Sequence, residues 1–402
     1  MAKKTEKKPL KRGQSSFVLI GEAKINDFTF KIDENSKKSD WVFNQLNIGV
    51  DCGESNVVYT ELMGGYGSER DNVLYVHGVK ENDKGKTVDD FENQFKIAWE
   101  DRFDEEVLAT IGDKSFLTVG LEKDKKGKVF GKKFLSAYDA IKYVNENLVN
   151  GAVINVKGEF KYSLYNENVQ CKKEIKSIYL SSVEDKTKYK AVFTQTVLID
   201  KDSVGKLDKE KAVYPITCRV VDYTKMFNAK EVKQNIAFYK VFELEVDKAK
   251  PENTKKFLDK LLRVKKDITE ISLEGDILEG QSLVNVTEAD LPDDIRDLVN
   301  CGAYTMEDAI SKCAVGGSKE KRMIIRRPTI KMVGDDENKM PVIVRTESQY
   351  VEEDLIFDFM FEDEEHAAET KVDSKVKKNK ALIEDAEEED TEDTSWMDAL
   401  DD

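Results

Sequence analysis

Within residues 134–180 the hydrophobic period changes twice, and no other feature constrains the fold as much. In "SAYDAIKYVNENLVNG", Ala140, Ile141, Val144 and Leu148, with Tyr143 beside them, recur at helical spacing. Ser136 or Asp139 offers an N-cap oxygen, and Gly151 stands where such a helix ends. The next stretch, "AVINVKGEFKYSLYN", has period two. Ile154, Val156, Phe160 and Tyr162 share one face; Val153, Asn155, Lys157, Glu159 and Lys161 share the other, with Gly158 between them. A polar turn at residues 166–168 then leads into a second strand, "NVQCKKEIKSIYLSS".

Three strand segments precede the helix: "SSFVLIGEAKINDFTFKI", "DWVFNQLNIGVDCG" and "NVVYTELMGGYG". Three strands, one helix and two strands is the plan of a five-stranded Greek-key barrel of the OB type. Residues 66–130 form an insertion with strands of its own and a charged hairpin tip, "KDKKGK", with Gly127 in the turn. The second half repeats the plan. Its strands are "YKAVFTQTVLI", "AVYPITCRVVDYT", "NIAFYKVFELEV", "DITEISLEGDILEG" and "KRMIIRRPTIKMV", and its helix is "PENTKKFLDKLLRV", with Pro251 in the first turn. "PVIVRT" and "DLIFDFMF" read as further strands, and "GDDENKMP" as a hairpin turn. The expected fold class is therefore mostly β, with two tandem OB-like barrels. Residues 1–15 form a basic disordered arm, 16–184 the first barrel, 185–361 the second barrel with an acidic helical insertion, and 362–402 a disordered acidic tail.

Charge supports those ends. The chain carries −16, yet residues 384–402 hold eleven acids and no base, and residues 1–12 hold six bases and one acid. Like-charge blocks of this kind are solvated interaction tails. No stretch approaches the length of apolar sequence that spans a bilayer. The basic N-terminus is followed by no apolar core of a signal peptide, so a cytoplasmic protein is expected. The five cysteines are scattered and never paired as CxxC, which argues against a disulfide framework or a zinc site. The two histidines, His77 and His366, belong to no HExxH motif, and no phosphate-binding loop or nucleophile elbow occurs. No enzyme activity, cofactor or metal is expected.

The segment from Phe134 to Leu180 resembles the C-terminal half of the bacterial and phage single-stranded DNA-binding protein domain. The likeness rests on Gly151, Val153, residues 155–158, Tyr162, Tyr165 and residues 175–180. "SFVLIGEAKI" and "WVFNQLNIGV" resemble that family's first two strands. The family's acidic tail, with an apolar tip that docks partner proteins, resembles "EDTSWMDALDD" here, although this chain lacks the family's terminal Pro-Phe. The resemblance implies sequence-independent binding of single-stranded DNA in replication or recombination, a phage origin with residence in the host cytoplasm, and an oligomer as a possible form.

Such a binder needs cations along the phosphates and flat faces on which bases stack. The candidates in the first half are Trp41 after a basic polar loop, Tyr66 and Arg70 in a Gly-rich loop, Lys157, Lys161 and Lys172 on the paired strands, and Tyr162 and Tyr165 flanking their turn. In the second half they are Tyr223, Lys225, Phe227, Lys233 and Tyr239, where aromatics and lysines interleave, and Arg326. Arg326 and Arg327 point to opposite faces of a strand, so one of them at most lies in a groove. In the tail, Trp396, Met397 and Leu400 share one helical face and form the expected partner-docking tip. The rival readings are a β-rich protein-interaction or virion-associated protein without nucleic-acid binding, and a metal-dependent nuclease.

Overall fold

The computed structural model describes residues 7–82, 85–165, 168–227, 230–281, 291–302, 304–306, 309, 319–334 and 338–360. The chain divides into two units, residues 11–349 and residues 1–10 with 350–402. Both barrels lie in the first. It opens with β1 Ser15–Lys24, β2 Phe30–Asn35, β3 Trp41–Asp51 and β4 Val57–Gly67. The insertion follows, with β5 Val73–Glu81, β6 Thr87–Ala98, the short helix α1 Glu105–Ala109, β7 Leu117–Lys123 and β8 Val129–Phe134. Then come α2 Ala137–Asn147, β9 Val153–Tyr165 and β10 Asn168–Leu180. The second half holds β11 Lys190–Ile199, β12 Val213–Phe227, β13 Lys230–Glu245, α3 Pro251–Phe257, β14 Ile268–Gln281, α4 Asp293–Asn300, β15 Lys319–Pro328, β16 Ile330–Val333, β17 Met340–Ile343 and β18 Arg345–Tyr350.

The protein is mostly β, and each half closes the expected ring. In the first, β1 pairs β3, β3 pairs β4, β4 runs parallel to β10, β10 pairs β9, and β9 returns to β1. In the second, β11, β12, β13, β15 and β14 close in the same order, again with one parallel contact, β13 to β15. The registers also agree. Phe17 pairs Gly158, and Phe193 pairs Gly275. Those glycines pair Ile175 and Ile325, and the residue after each isoleucine, Lys176 or Arg326, is skipped by the ladder as a bulge. Five residues beyond each phenylalanine, Glu22 pairs Asp51 and Leu198 pairs Arg219. Asp51 then pairs Val57, and Arg219 pairs Tyr239. Four residues on, Glu61 meets Glu174 and Glu243 meets Ile324, each one residue before its isoleucine. Both rings therefore close with the same stagger.

Gly158 and Gly275 do the same job in each ring. A Cβ on Gly158 would lie 2.1 Å from the Glu174 carbonyl and 2.4 Å from the Phe17 ring; one on Gly275 would lie 1.9 Å from the Ile324 carbonyl and 2.7 Å from Phe193. Glycine lets each phenylalanine lie flat on the neighbouring strand. The cores around them hold Leu19, Ile48, Val156 and Phe160 in one barrel and Val220, Phe242, Ile271 and Ile324 in the other, all buried. Burial of each such side chain contributes about 1.5–3 kcal/mol. Helix α2 starts at Ser136, whose hydroxyl accepts from the Tyr138 amide at 3.1 Å, and buries Ala140, Ile141 and Val144. Helix α3 carries Pro251 in its first turn and continues into a wider turn with Leu258, Leu261 and Leu262 buried.

The barrels are fused through their first strands. Residues 15–20 of β1 pair antiparallel with residues 190–195 of β11, and Phe17 faces Phe193. Two clasps reinforce this seam. Asn56, in the turn between β3 and β4, accepts from the Glu279 amide of β14 at 2.8 Å and donates to the Ile277 carbonyl at 2.8 Å. Asp222 of β12 accepts from the Tyr162 amide of β9 at 2.9 Å. Tyr162 and Glu279 stand four residues past Gly158 and Gly275, so each barrel grips the other at the same point of its fourth strand.

The insertion builds its own small core from Val76, Ile97 and Ile111, flanked by Leu74, Phe95, Val107 and Phe116. Its β7–β8 hairpin turns at Gly127, as the sequence indicates. In the second unit, the Lys8 amide donates to Asp354 at 2.8 Å and Phe357 stacks on Phe359 at 5.4 Å. In the stretch expected as a strand there, "DLIFDFMF", the described residues hold instead the end of a short helix, Glu352–Leu355, and a helical turn, Asp358–Met360. Asp354 caps it by accepting from the Val351 amide at 3.0 Å, a local bond that competes with any strand ladder. The arm expected to be disordered has described residues from Lys7 on, with Leu10 buried and Arg12 2.7 Å from Asp222. No helix among the described residues is long and apolar enough to cross a membrane.

Candidate nucleic-acid interface

In an OB barrel the outward face of strands two and three, with the adjoining loops, is where oligonucleotides lie. In the first barrel those strands are β3 and β4. Burial alternates along β3, with Asn44, Leu46, Ile48 and Val50 buried. Trp41, Phe43, Gln45 and Asn47 therefore point outward. Trp41 and Phe43 stack at 5.0 Å with 16° between their planes. They can do so because the strand opposite is glycine: a Cβ on Gly65 would lie 2.8 Å from the Trp41 indole. Further along the same face of β4 are Met63 and Tyr59, both exposed.

Cations flank this strip. Lys161 and Lys172 sit directly opposite each other on β9 and β10. The parallel register that pairs Glu61 with Glu174 sets Lys172 beside Tyr59, and Lys172 reaches Glu61 at 3.4 Å. Lys161 reaches Glu159 at 3.8 Å. Burial works to raise the Glu159 carboxyl, but Arg12, Lys176 and Lys161 outweigh it and hold it below the usual range. Lys157 lies on the same outward face of β9 and is exposed. Arg70 pairs with Asp40 at 3.4 Å, next to Trp41.

The second barrel offers β12 and β13. Arg219 and Tyr239 pair across the strands, and the guanidinium lies 5.1 Å from the ring centre. Tyr239 is 57% exposed, and Tyr223, on the same face, is 48% exposed. Lys225 and Lys233 are exposed toward the hairpin end, with Lys233 2.5 Å from Glu231, and Phe227 is half-buried there. Trp41, Arg70, Lys161 and Lys172 are thus gathered around one barrel face, and Tyr223, Lys225, Lys233 and Tyr239 along another. Phe43, Tyr59, Met63 and Arg219 complete the faces. The i, i+2 spacing from Trp41 to Phe43 was the available signal for the first of these.

Two expected contacts, Tyr162 and Tyr66, are corrected. Tyr162 is 2% exposed: its hydroxyl donates to Gln195 Oε1 at 3.2 Å and its ring stacks on Phe238 at 6.3 Å. Burial pushes that phenol well above its ordinary pKa. The packed seam between the barrels covers it, so it presents no face to a base. Tyr66 points to the opposite side of β4 from Tyr59, where it packs on Trp99 at 5.3 Å and Tyr138 at 5.4 Å, anchoring the insertion and α2. Arg326, thrown out by its bulge, is held by Asp276 at 2.6 Å and Glu245 at 2.7 Å. Arg327 pairs instead with Glu274 at 2.7 Å. Tyr165 ends β9, opposite Asn168. Trp396, Met397 and Leu400 lie outside the described residues.

Among the described residues no group of three or more His, Cys, Asp or Glu is arranged to hold a metal ion. No family model matches the chain, and no curated protein matches it. Among the solved structures, nine chains match, and two of them are the following. Wild-type single-stranded DNA binding protein from Thermus aquaticus is 8% identical, with 81% of this chain and 96% of that one covered and a TM-score of 0.29. A deletion mutant of the same protein is 8% identical, with 67% and 88% covered and a TM-score of 0.27.

Proposed function

We propose that this protein binds single-stranded DNA without sequence preference, on the outward faces of β3–β4 and β12–β13. The observation that carries the reading is the Trp41–Phe43 stack over Gly65, continued by Tyr59 beside Lys172 and Lys161. Aromatic faces spaced along a barrel sheet hold bases of any identity, at about 1–3 kcal/mol per stacked base. Most lysines here already have a carboxylate neighbour, so stacking outweighs the phosphate term and the salt slope is shallow for a protein of this class. Binding and protection, not chemistry, is the role, in replication or recombination of a phage genome. The acidic tail recruits partner proteins through Trp396, Met397 and Leu400.

The test is binding of fluorescent oligo-dT to the full chain across a salt series. Trp41→Ala and Phe43→Ala are each expected to weaken it by about 5-fold to 150-fold, in line with one lost stack. Absence of binding at low salt, where phosphate attraction is strongest, refutes the proposal.

A second reading, a protein-interaction module, is favoured by the β16–β17 hairpin. Ile330, Met332, Met340 and Val342 are all exposed on it. That reading replaces the first if oligo-dT fails to bind.

A further inference from the structure

The two barrels are related by a local twofold axis. It passes through the Phe17–Phe193 pair, where equivalent residues of the two rings face each other across antiparallel strands. The clasps take hold at equivalent points of the two fourth strands, Asn56 at Glu279 of β14 and Asp222 at Tyr162 of β9. Six register pairs of backbone and two side-chain clasps join the barrels along this seam.

This arrangement has a directional consequence. β3 is antiparallel to β1, β1 to β11, and β11 to β12. β3 and β12 therefore run in opposite senses. Both rings close with the same stagger, so the frame that a ligand meets on one barrel is met on the other turned by half a circle. A nucleic-acid strand is directional, and so is a sheet face built from L-residues.

We infer that the chain holds two single-stranded DNA segments of opposite polarity, one on each barrel, an inference that rests on the function proposed above. Its preferred ligand is a strand that doubles back between the faces, not one drawn straight across both. Tyr59 and Val241 mark the equivalent points on the two faces, each two residues past the pair that follows the seam, Asp51–Val57 and Arg219–Tyr239.

The experiment uses the full chain and three fluorescent ligands. Each joins two dT segments of about eight nucleotides, within the range that one OB barrel covers. The first has uniform polarity, the second a 3′–3′ junction, and the third a 5′–5′ junction. One inverted ligand is expected to bind about 100-fold tighter than the uniform one, because its second segment engages as an intramolecular event. Tyr239→Ala should reduce that ligand to the affinity of a single segment. If the uniform ligand binds as tightly as both inverted ones, the inference is overturned while single-strand binding stands. If no dT ligand binds at low salt, the proposed function itself fails.

Discussion

Replacing Asp222 by Ala should separate the barrels energetically more than any other single change at the seam. The carboxylate is 1% exposed. One oxygen accepts from the Tyr162 amide at 2.9 Å; the other accepts from the Tyr223 amide at 2.9 Å and stands 2.7 Å from Arg12 Nε, an ion pair without hydrogen-bond alignment. Losing it strands a buried amide, at about 1–3 kcal/mol. It also leaves Arg12 without its buried partner. Breaking a fully buried pair costs about 3–5 kcal/mol, but Arg12 is partly exposed and keeps Glu159 at 3.1 Å, so its share is smaller. The sum is about 3–4 kcal/mol. Asn56→Ala, at the equivalent clasp, removes only neutral hydrogen bonds and should cost about 1–2 kcal/mol. Urea unfolding at pH 7, followed by tryptophan fluorescence and far-UV circular dichroism, compares the two. If Asp222→Ala proves no more destabilising than Asn56→Ala, the buried carboxylate does not hold the seam and the reasoning is wrong.

Tyr162→Phe should lower stability by about 1 kcal/mol through its hydroxyl while leaving oligo-dT affinity unchanged; Tyr239→Ala should do the reverse. Gly158→Ala and Gly275→Ala should each destabilise by about 3 kcal/mol or more, since a backbone carbonyl cannot give way as a side chain does. A mild effect at one of them in thermal melts would show that the two rings are not built alike. Burial, helped by Asp51, pushes the Cys52 thiol from 9.0 up to about 12. Between those values the unfolded chain loses this proton and the folded chain keeps it, so stability falls as pH rises. The Cys52→Ala variant should lose less stability than wild type over that window; parallel curves would sink the assignment.

The element order was legible because each segment advertises its own period. The helix at residues 137–147 and the two-faced strand after it follow directly from spacing, and so does the repetition of the plan in the second half. Identity of register was not legible, because it depends on which residues of distant strands meet. The fate of Tyr162 shows the limit most clearly. Its alternation with Phe160 placed it on the inward face, yet its position near the strand end suggested a ligand contact. Only the second barrel, arriving from a different part of the chain, covers it. Arg326 and Lys161 look alike in sequence, but a bulge delivers the arginine to two carboxylates, while the lysine faces another lysine across the ladder and reaches one carboxylate, Glu159, at 3.8 Å. Phe43 is not legible as a contact, because a phenylalanine in an alternating strand reads as core, and only the burial of Asn44, Leu46 and Ile48 sets it on the outward face.

The seam also sets a schedule for the ribosome. Residues 15–20 are made early, but their partners at residues 190–195 follow about 175 residues later. At about 5–20 residues per second, β1 waits roughly 10–35 s for that partner, and the first barrel, complete once β10 ends at Leu180, waits about 1–3 s with the outer edge of β1 unpaired. An open edge of that kind invites pairing with another nascent chain. Slow translation of the linker before β11 should therefore raise the yield of entangled dimers, and rapid passage should suppress them.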